Sequence, residues 1–171
     1  MSDFSKMLAK VEEHLAATPE RSDMVHDLLA FLAEEMIRLN QEKRAVQKDF
    51  LEWLITTVKV QPDKEGKAGL DVLVGKAKLS DFPGDYQKGE PHLSPDEVLD
   101  ILQKNKAKLG VRLSDTAALP NQIKTRYTTA LEHALPLKEK LSQTDRLIDQ
   151  IVYRLYGLSE DEIKVVEGKN V

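Results

Sequence analysis

The chain has 171 residues, a formal net charge of −4, and 41% hydrophobic, 32% charged and only 5% aromatic residues. This is the composition of a folded chain with long, surface-rich helices, of a length for one domain or one compact body with an arm. With no cysteine there are no disulfides or thiolate metal sites, and no apolar run nears the roughly 18 residues of a membrane span.

Met1-Ser-Asp-Phe-Ser-Lys-Met-Leu lacks the basic start and apolar stretch of a secretory leader, so a bacterial-type cytoplasmic setting is expected. Phe4, Met7, Leu8, Val11 and Leu15 predict a short helix over 3–16. Thr18-Pro-Glu-Arg-Ser22 breaks it, and Ser22 or Asp23 offers a side chain to cap the next helix. From Met24 to Val60 there is neither Gly nor Pro. Val25, Leu29, Leu32, Met36, Leu39, Lys43, Val46, Phe50, Trp53 and Thr57 alternate in steps of four and three. That heptad seam predicts a first long helix over 23–60. At 1.5 Å per residue it would run roughly 54 Å, and a helix of that length needs a partner for its stripe.

The insertion over 61–119 comes next. Gln61-Pro-Asp-Lys-Glu-Gly-Lys67 is a turn-rich linker, and Leu70, Val72, Leu73 and Val74 predict one or two helical turns. Residues 81–92, Asp-Phe-Pro-Gly-Asp-Tyr-Gln-Lys-Gly-Glu-Pro-His, read as a loop. Ser94-Pro-Asp-Glu97 is a capping box with proline at the first helical position, opening a helix to about Leu109 that Gly110 closes.

Ile123, Tyr127, Ala130, Ala134, Leu137, Leu141, Thr144, Ile148, Ile151 and Leu155 repeat the four-three spacing and predict a second long helix over 120–157. Two matched seams imply an antiparallel hairpin, with Thr57 near Ile123, Val25 near Leu155 and Lys43 opposite Leu137, its ammonium snorkelling out of the seam. Pro136 predicts a kink or break near 132–136. Gly157 is a left-handed stop with Tyr153 and Tyr156 covering the hairpin end, and Ser159 with Glu162 caps a short helix over 159–167. The expected fold is all-α: one helical unit over 1–171, a long coiled-coil-like antiparallel hairpin with a small helical and loop insertion at its tip and short terminal helices.

Catalytic signals are weak. Pro62-Asp63 and Glu65-Gly66-Lys67 evoke a nuclease signature, but that chemistry needs carboxylates converging on Mg²⁺ from separated strands, not one short turn. His14, His26, His92 and His133 are isolated, with no metal-binding spacing. No nucleophile elbow, phosphate-cradling glycine loop or dinucleotide fingerprint occurs. Lys104, Lys106, Lys108 and Arg112 form the densest basic cluster, a candidate contact for DNA phosphates as well as an ordinary solvated helix face. Tyr86, Gln87 and Lys88, in a glycine-flanked loop, are candidates to extend it. Phe50 and Trp53 read as core anchors.

Three blocks resemble a known family: residues 27–43 (Asp-Leu-Leu-Ala-Phe-Leu-Ala-Glu-Glu-Met-Ile-Arg-Leu-Asn-Gln-Glu-Lys), residues 84–94 (Gly-Asp-Tyr-Gln-Lys-Gly-Glu-Pro-His-Leu-Ser) and residues 148–163 (Ile-Asp-Gln-Ile-Val-Tyr-Arg-Leu-Tyr-Gly-Leu-Ser-Glu-Asp-Glu-Ile). Over most of 22–168 the chain resembles the C-terminal helical region of type IIG restriction–modification enzymes, which join an adenine-specific DNA methyltransferase to a nuclease and a target-recognition region. Related tails also occur in specificity subunits of multi-subunit systems. The resemblance implies S-adenosylmethionine as methyl donor and an Asn-Pro-Pro-Tyr-type motif facing a flipped adenine. This chain carries neither that motif nor a glycine-rich donor site, so donor and catalysis would belong to a separate methyltransferase/endonuclease chain. What carries over is a noncatalytic helical arm beside the recognition region, and Met1 with its own first helix points to a split subunit or a truncated remnant. The rival expectation is a coiled-coil adaptor with no DNA role.

Overall fold

In the computed structural model the two four-three seams form the longest elements. Residues 3–18, 21–114 and 118–168 are described, with backbone alone for 3–5. The Phe4 side chain, Pro19 and Glu20 of the expected break, and residues 115–117 of the expected insertion lie outside them. Helix α1 covers Asp3–Leu15, α2 Ser22–Val58, α3 Lys76–Ser80, α4 Pro95–Lys104, α5 Ala118–Leu155 and α6 Glu160–Val166, with 3₁₀ turns at Gly69–Val72 and Lys106–Lys108. Among the described residues no strand forms, and one antiparallel backbone bridge joins Val60 to Leu109. The fold is all-α with the two long helices paired, as expected.

The chain divides into two compact units, Met1–Leu39 with Leu141–Val171, and Asn40–Lys140. In the first, Val11 of α1, Val25 and Leu32 of α2, and Leu147 and Ile151 of α5 are buried together, with Leu155 packed against them. In the second, Phe50, Leu54 and Val58 of α2 share a core with Ile123, Tyr127 and Ala134 of α5 and with Val72, Leu79, Phe82, Val98 and Leu102 between them. The centre of this core is aromatic: Phe50, Phe82 and Tyr127 meet pairwise with ring centroids 5.2 to 5.4 Å apart, all edge-on. Each such pair adds about 0.5–1.5 kcal/mol beyond the area it buries. The start of α2 shares a core with the end of α5 and the end of α2 with the start of α5, so the pair is antiparallel; Phe50 meeting Tyr127, with Arg126 2.7 Å from Asp49, puts the register within about one turn of the expected one.

Several expectations are corrected. Lys43 does not snorkel to water. It is only 8% exposed, and its ammonium lies 3.6 Å from Asp81, which the insertion brings to the seam. Gln47 completes the arrangement by donating to Asp81 Oδ1 at 2.9 Å and to the Ser80 carbonyl at 3.1 Å. A buried charge is costly unless paired, and here the partner is delivered from another segment. Pro136 does not break α5, which runs on to Leu155. Pro136 is exposed, and the carbonyl deprived of its donor belongs to Glu132, also exposed, so the missing bond falls on the open side of the helix rather than in the core. Ser22 and Asp23 are not caps but lie in the first turn of α2. Tyr153 is buried whereas Tyr156 is 73% exposed, so only one of the two covers the helix end.

Candidate nucleic-acid interface

Helix α4 organises the candidate residues of the second unit. Its start is fixed by the predicted capping box: the Glu97 N–H donates to Ser94 Oγ at 3.2 Å and the Ser94 N–H to Glu97 Oε2 at 2.7 Å. That backbone donation from Ser94 holds the Glu97 carboxyl below its ordinary range. The end of α4 differs from expectation. The helix stops at Lys104 rather than reaching Leu109, because Asn105 turns inward at the C-cap. Asn105 is buried and fully engaged: its Oδ1 accepts from the Val74 N–H at 2.8 Å, and its Nδ2 donates to the carbonyls of Val74 and Ile101 at 2.9 and 2.8 Å. Burying an amide without those partners would be unfavourable, so this knot fixes where the following lysines emerge.

Of the four predicted cations, Lys104, Lys106 and Arg112 are exposed. Lys108 is half-buried and spends its ammonium on the Val72 carbonyl, which removes it from the open surface. The segment is tied to the end of α2 by backbone bonds: the Gln61 N–H donates to the Lys108 carbonyl at 2.8 Å, and the Gly110 N–H to the Lys59 carbonyl at 2.8 Å. Gly110 allows that approach; a Cβ there would lie 2.7 Å from Gln61 Nε2 and 2.8 Å from Lys59 Cβ.

The loop of residues 81–92 is built from inside outward. Phe82 plugs into the aromatic core, and Pro83 and Gly84 are buried behind it. Gly84 has φ +78°, and a Cβ on it would meet the carbonyls of Glu90 and Pro91 at 2.5 Å. Lys138 of α5 binds two loop carbonyls, donating to Pro83 at 2.8 Å and also to Glu90. Tyr127, whose hydroxyl donates to the Leu93 carbonyl, has its ionisation pushed above the ordinary range, first by burial and then by the charge of Glu97. At the outer turn, the Gln87 N–H donates to Asp85 Oδ1 at 2.9 Å, which holds the Asp85 carboxyl low, and Lys88 sits 3.5 Å from the same carboxylate. Gln87 and Lys88 are exposed, while Tyr86 is half-buried. A shallow groove of about 530 Å³ beside the loop carries both signs, lined by Lys78, Asp81, Asp85, Lys88, His92 and Glu97 among others.

The two predicted groups are not one patch. The loop leads into the start of α4, and the cations lie at and beyond its end, about 15 Å of helix later. Sequence reasoning missed Asn105, Lys138 and Lys59, whose parts depend on partners more than 30 residues away or, for Lys59, on a backbone angle. Among the described residues no group of His, Asp and Glu is arranged to hold a metal, and no helix is long and apolar enough to cross a membrane. No protein-family model, curated protein or solved structure matches the chain.

Proposed function

We propose that this chain is a noncatalytic helical component of a DNA adenine methyltransferase or restriction–modification system, supporting target-DNA recognition or assembly with a separate catalytic chain. The carrying observation is that Lys104, Lys106 and Arg112 are exposed on a segment pinned by Asn105 and by backbone bonds to the end of α2. Cations held on a rigid frame meet phosphates with little ordering cost, and their contribution weakens steeply with salt. The sequence resemblance supplies the kind of system, and the missing Asn-Pro-Pro-Tyr motif and donor-site glycines leave S-adenosylmethionine to the partner. Co-purification from the native host is expected to recover a methyltransferase chain, and purified chain alone is expected to transfer no methyl group to DNA. Affinity for a labelled duplex should fall on raising salt from about 50 to 200 mM; salt-independent affinity, or none, would overturn the reading.

A second reading, a coiled-coil adaptor without a DNA role, is favoured by Met24 and Phe31, large apolar side chains left exposed two turns apart on one face of α2. Apolar side chains grouped on one surface mark interaction sites. Concentration-dependent self-association in sedimentation, without salt-sensitive DNA affinity, would select it.

A further inference from the structure

Lys59 is the one non-glycine residue with positive φ among the described residues, at +51°. It stands where α2 stops. The Val60 N–H donates to the Ile55 carbonyl at 3.1 Å and the Lys59 N–H to the Thr56 carbonyl at 3.3 Å. This pair of bonds makes a Schellman ending whose left-handed position ordinarily falls to glycine. A lysine there is held against its backbone preference, and such outliers cluster where a side chain is needed for function. The Lys59 side chain is exposed. Its backbone lies across from Gly110, two residues from Lys108 on one side and from Arg112 on the other. Exposed carboxylates near it in sequence have other partners: Asp63 accepts from the Glu65 and Lys67 N–H groups at 2.9 Å, Glu52 lies 3.7 Å from Lys48, Glu65 2.7 Å from Lys67 and Asp71 2.9 Å from Lys76.

We propose that Lys59 is a fourth phosphate-contacting cation of the surface formed by Lys104, Lys106 and Arg112, and that the end of α2 therefore belongs to the DNA-binding face. The proposal rests on the DNA reading above and adds to it a residue outside the basic cluster. The strained backbone aims the side chain outward from a helix end that is stitched to the Lys108–Gly110 segment, so Lys59 and the cluster approach a duplex backbone as one rigid set. A packing role for Lys59 ends at its Cβ, close to Gly110, whereas a phosphate role needs the ammonium. Asparagine keeps the Cβ and tolerates the left-handed conformation, and so separates the two.

The experiment measures affinity of the full chain for a labelled duplex across a salt series, with thermal unfolding of each variant. Lys59→Gly should raise the melting temperature yet reduce the slope of log affinity against log salt by about 0.9, the share of a single neutralised phosphate. Lys59→Asn should reduce the slope equally, and Lys59→Arg should retain it. If Lys59→Gly or Lys59→Asn leaves the slope unchanged while Lys104→Ala/Lys106→Ala/Arg112→Ala lowers it, the inference about Lys59 fails and the DNA reading survives. If the wild-type chain shows no salt-sensitive affinity for DNA, or binds anionic lipid vesicles in preference to DNA, the reading itself fails and takes the inference with it.

Discussion

The two long helices end with the same hydrogen bonds and different residues. At the end of α5 the Leu158 N–H donates to the Tyr153 carbonyl at 2.9 Å and the Gly157 N–H to the Arg154 carbonyl at 3.1 Å, with Gly157 at φ +60°. At the end of α2 the same pattern is closed by Lys59. Glycine adopts the left-handed region freely, whereas a side chain there costs about 1–2 kcal/mol. The α5 ending is therefore locally encoded, and the α2 ending is imposed by its neighbours: Gln61 Nε2 donates to the Lys59 carbonyl at 2.9 Å, and Gly110 approaches from the far side of the insertion. One helix stops because of its own sequence. The other stops because a distant part of the chain, across the insertion, holds it.

That contrast can be broken most forcefully at the insertion. Asn105→Ala removes the partner of three backbone groups, the Val74 N–H and the carbonyls of Val74 and Ile101, and is expected to cost about 3 kcal/mol, read by denaturant unfolding. It should also loosen the Lys106–Leu109 segment and speed hydrogen exchange at Gln61 and Gly110. A loss below about 1 kcal/mol would mean that water replaces the asparagine. Gly110→Ala should cost about 2 kcal/mol, because its Cβ meets Gln61 Nε2 and Lys59 Cβ below 3 Å. Exchanging the two stops sharpens the comparison: Lys59→Gly should stabilise by about 1 kcal/mol and Gly157→Lys should destabilise by a similar amount. Equal effects of the same sign would contradict the assignment of strain to Lys59.

The smallest effects concern pH. Glu97 and Glu162 close the capping boxes of α4 and α6, one in each unit, and both carboxyls are held low, chiefly by the Ser94 and Ser159 N–H groups. Their contribution is complete above the ordinary glutamate range and is lost as pH falls through the lowered values. Asp149 runs the other way. Its carboxyl is raised by burial and by the charges of Asp145 and Glu167, so the folded state favours the protonated form and this penalty is relieved as pH falls through the raised value. Asp149→Asn should therefore raise stability by a few tenths of a kcal/mol at neutral pH and by nothing at acid pH, checked by melting temperatures in the two buffers.

Periodicity made the long helices legible, since Val25, Leu32, Leu39, Phe50, Ile123, Tyr127, Leu141 and Ile151 are all buried as the seams require. Local grammar made the helix starts legible where a side chain and its backbone partner lie three residues apart, at Ser94 and Ser159. The end of α4 was not, because Asn105 answers to Val74, distant in sequence; the end of α2 was legible to within two residues, but not that Lys59 would close it in the left-handed conformation. The fate of Lys43 was hidden for the same reason: no rule on one helix announces that Asp81 will arrive beside it. Of the candidate cations, exposure follows for Lys104, Lys106 and Arg112, while Lys108 is diverted to a carbonyl 36 residues earlier.

The chain's single tryptophan is Trp53, stacked at a tilt 6.1 Å from Phe50 in the aromatic core of the second unit. Its emission therefore reports on that unit alone, while far-ultraviolet dichroism sums the helices of both. Heating the protein under the two probes turns this accident of placement into a test of cooperativity: coincident curves mark one all-or-none transition, and separated midpoints mark a protein that melts in two steps.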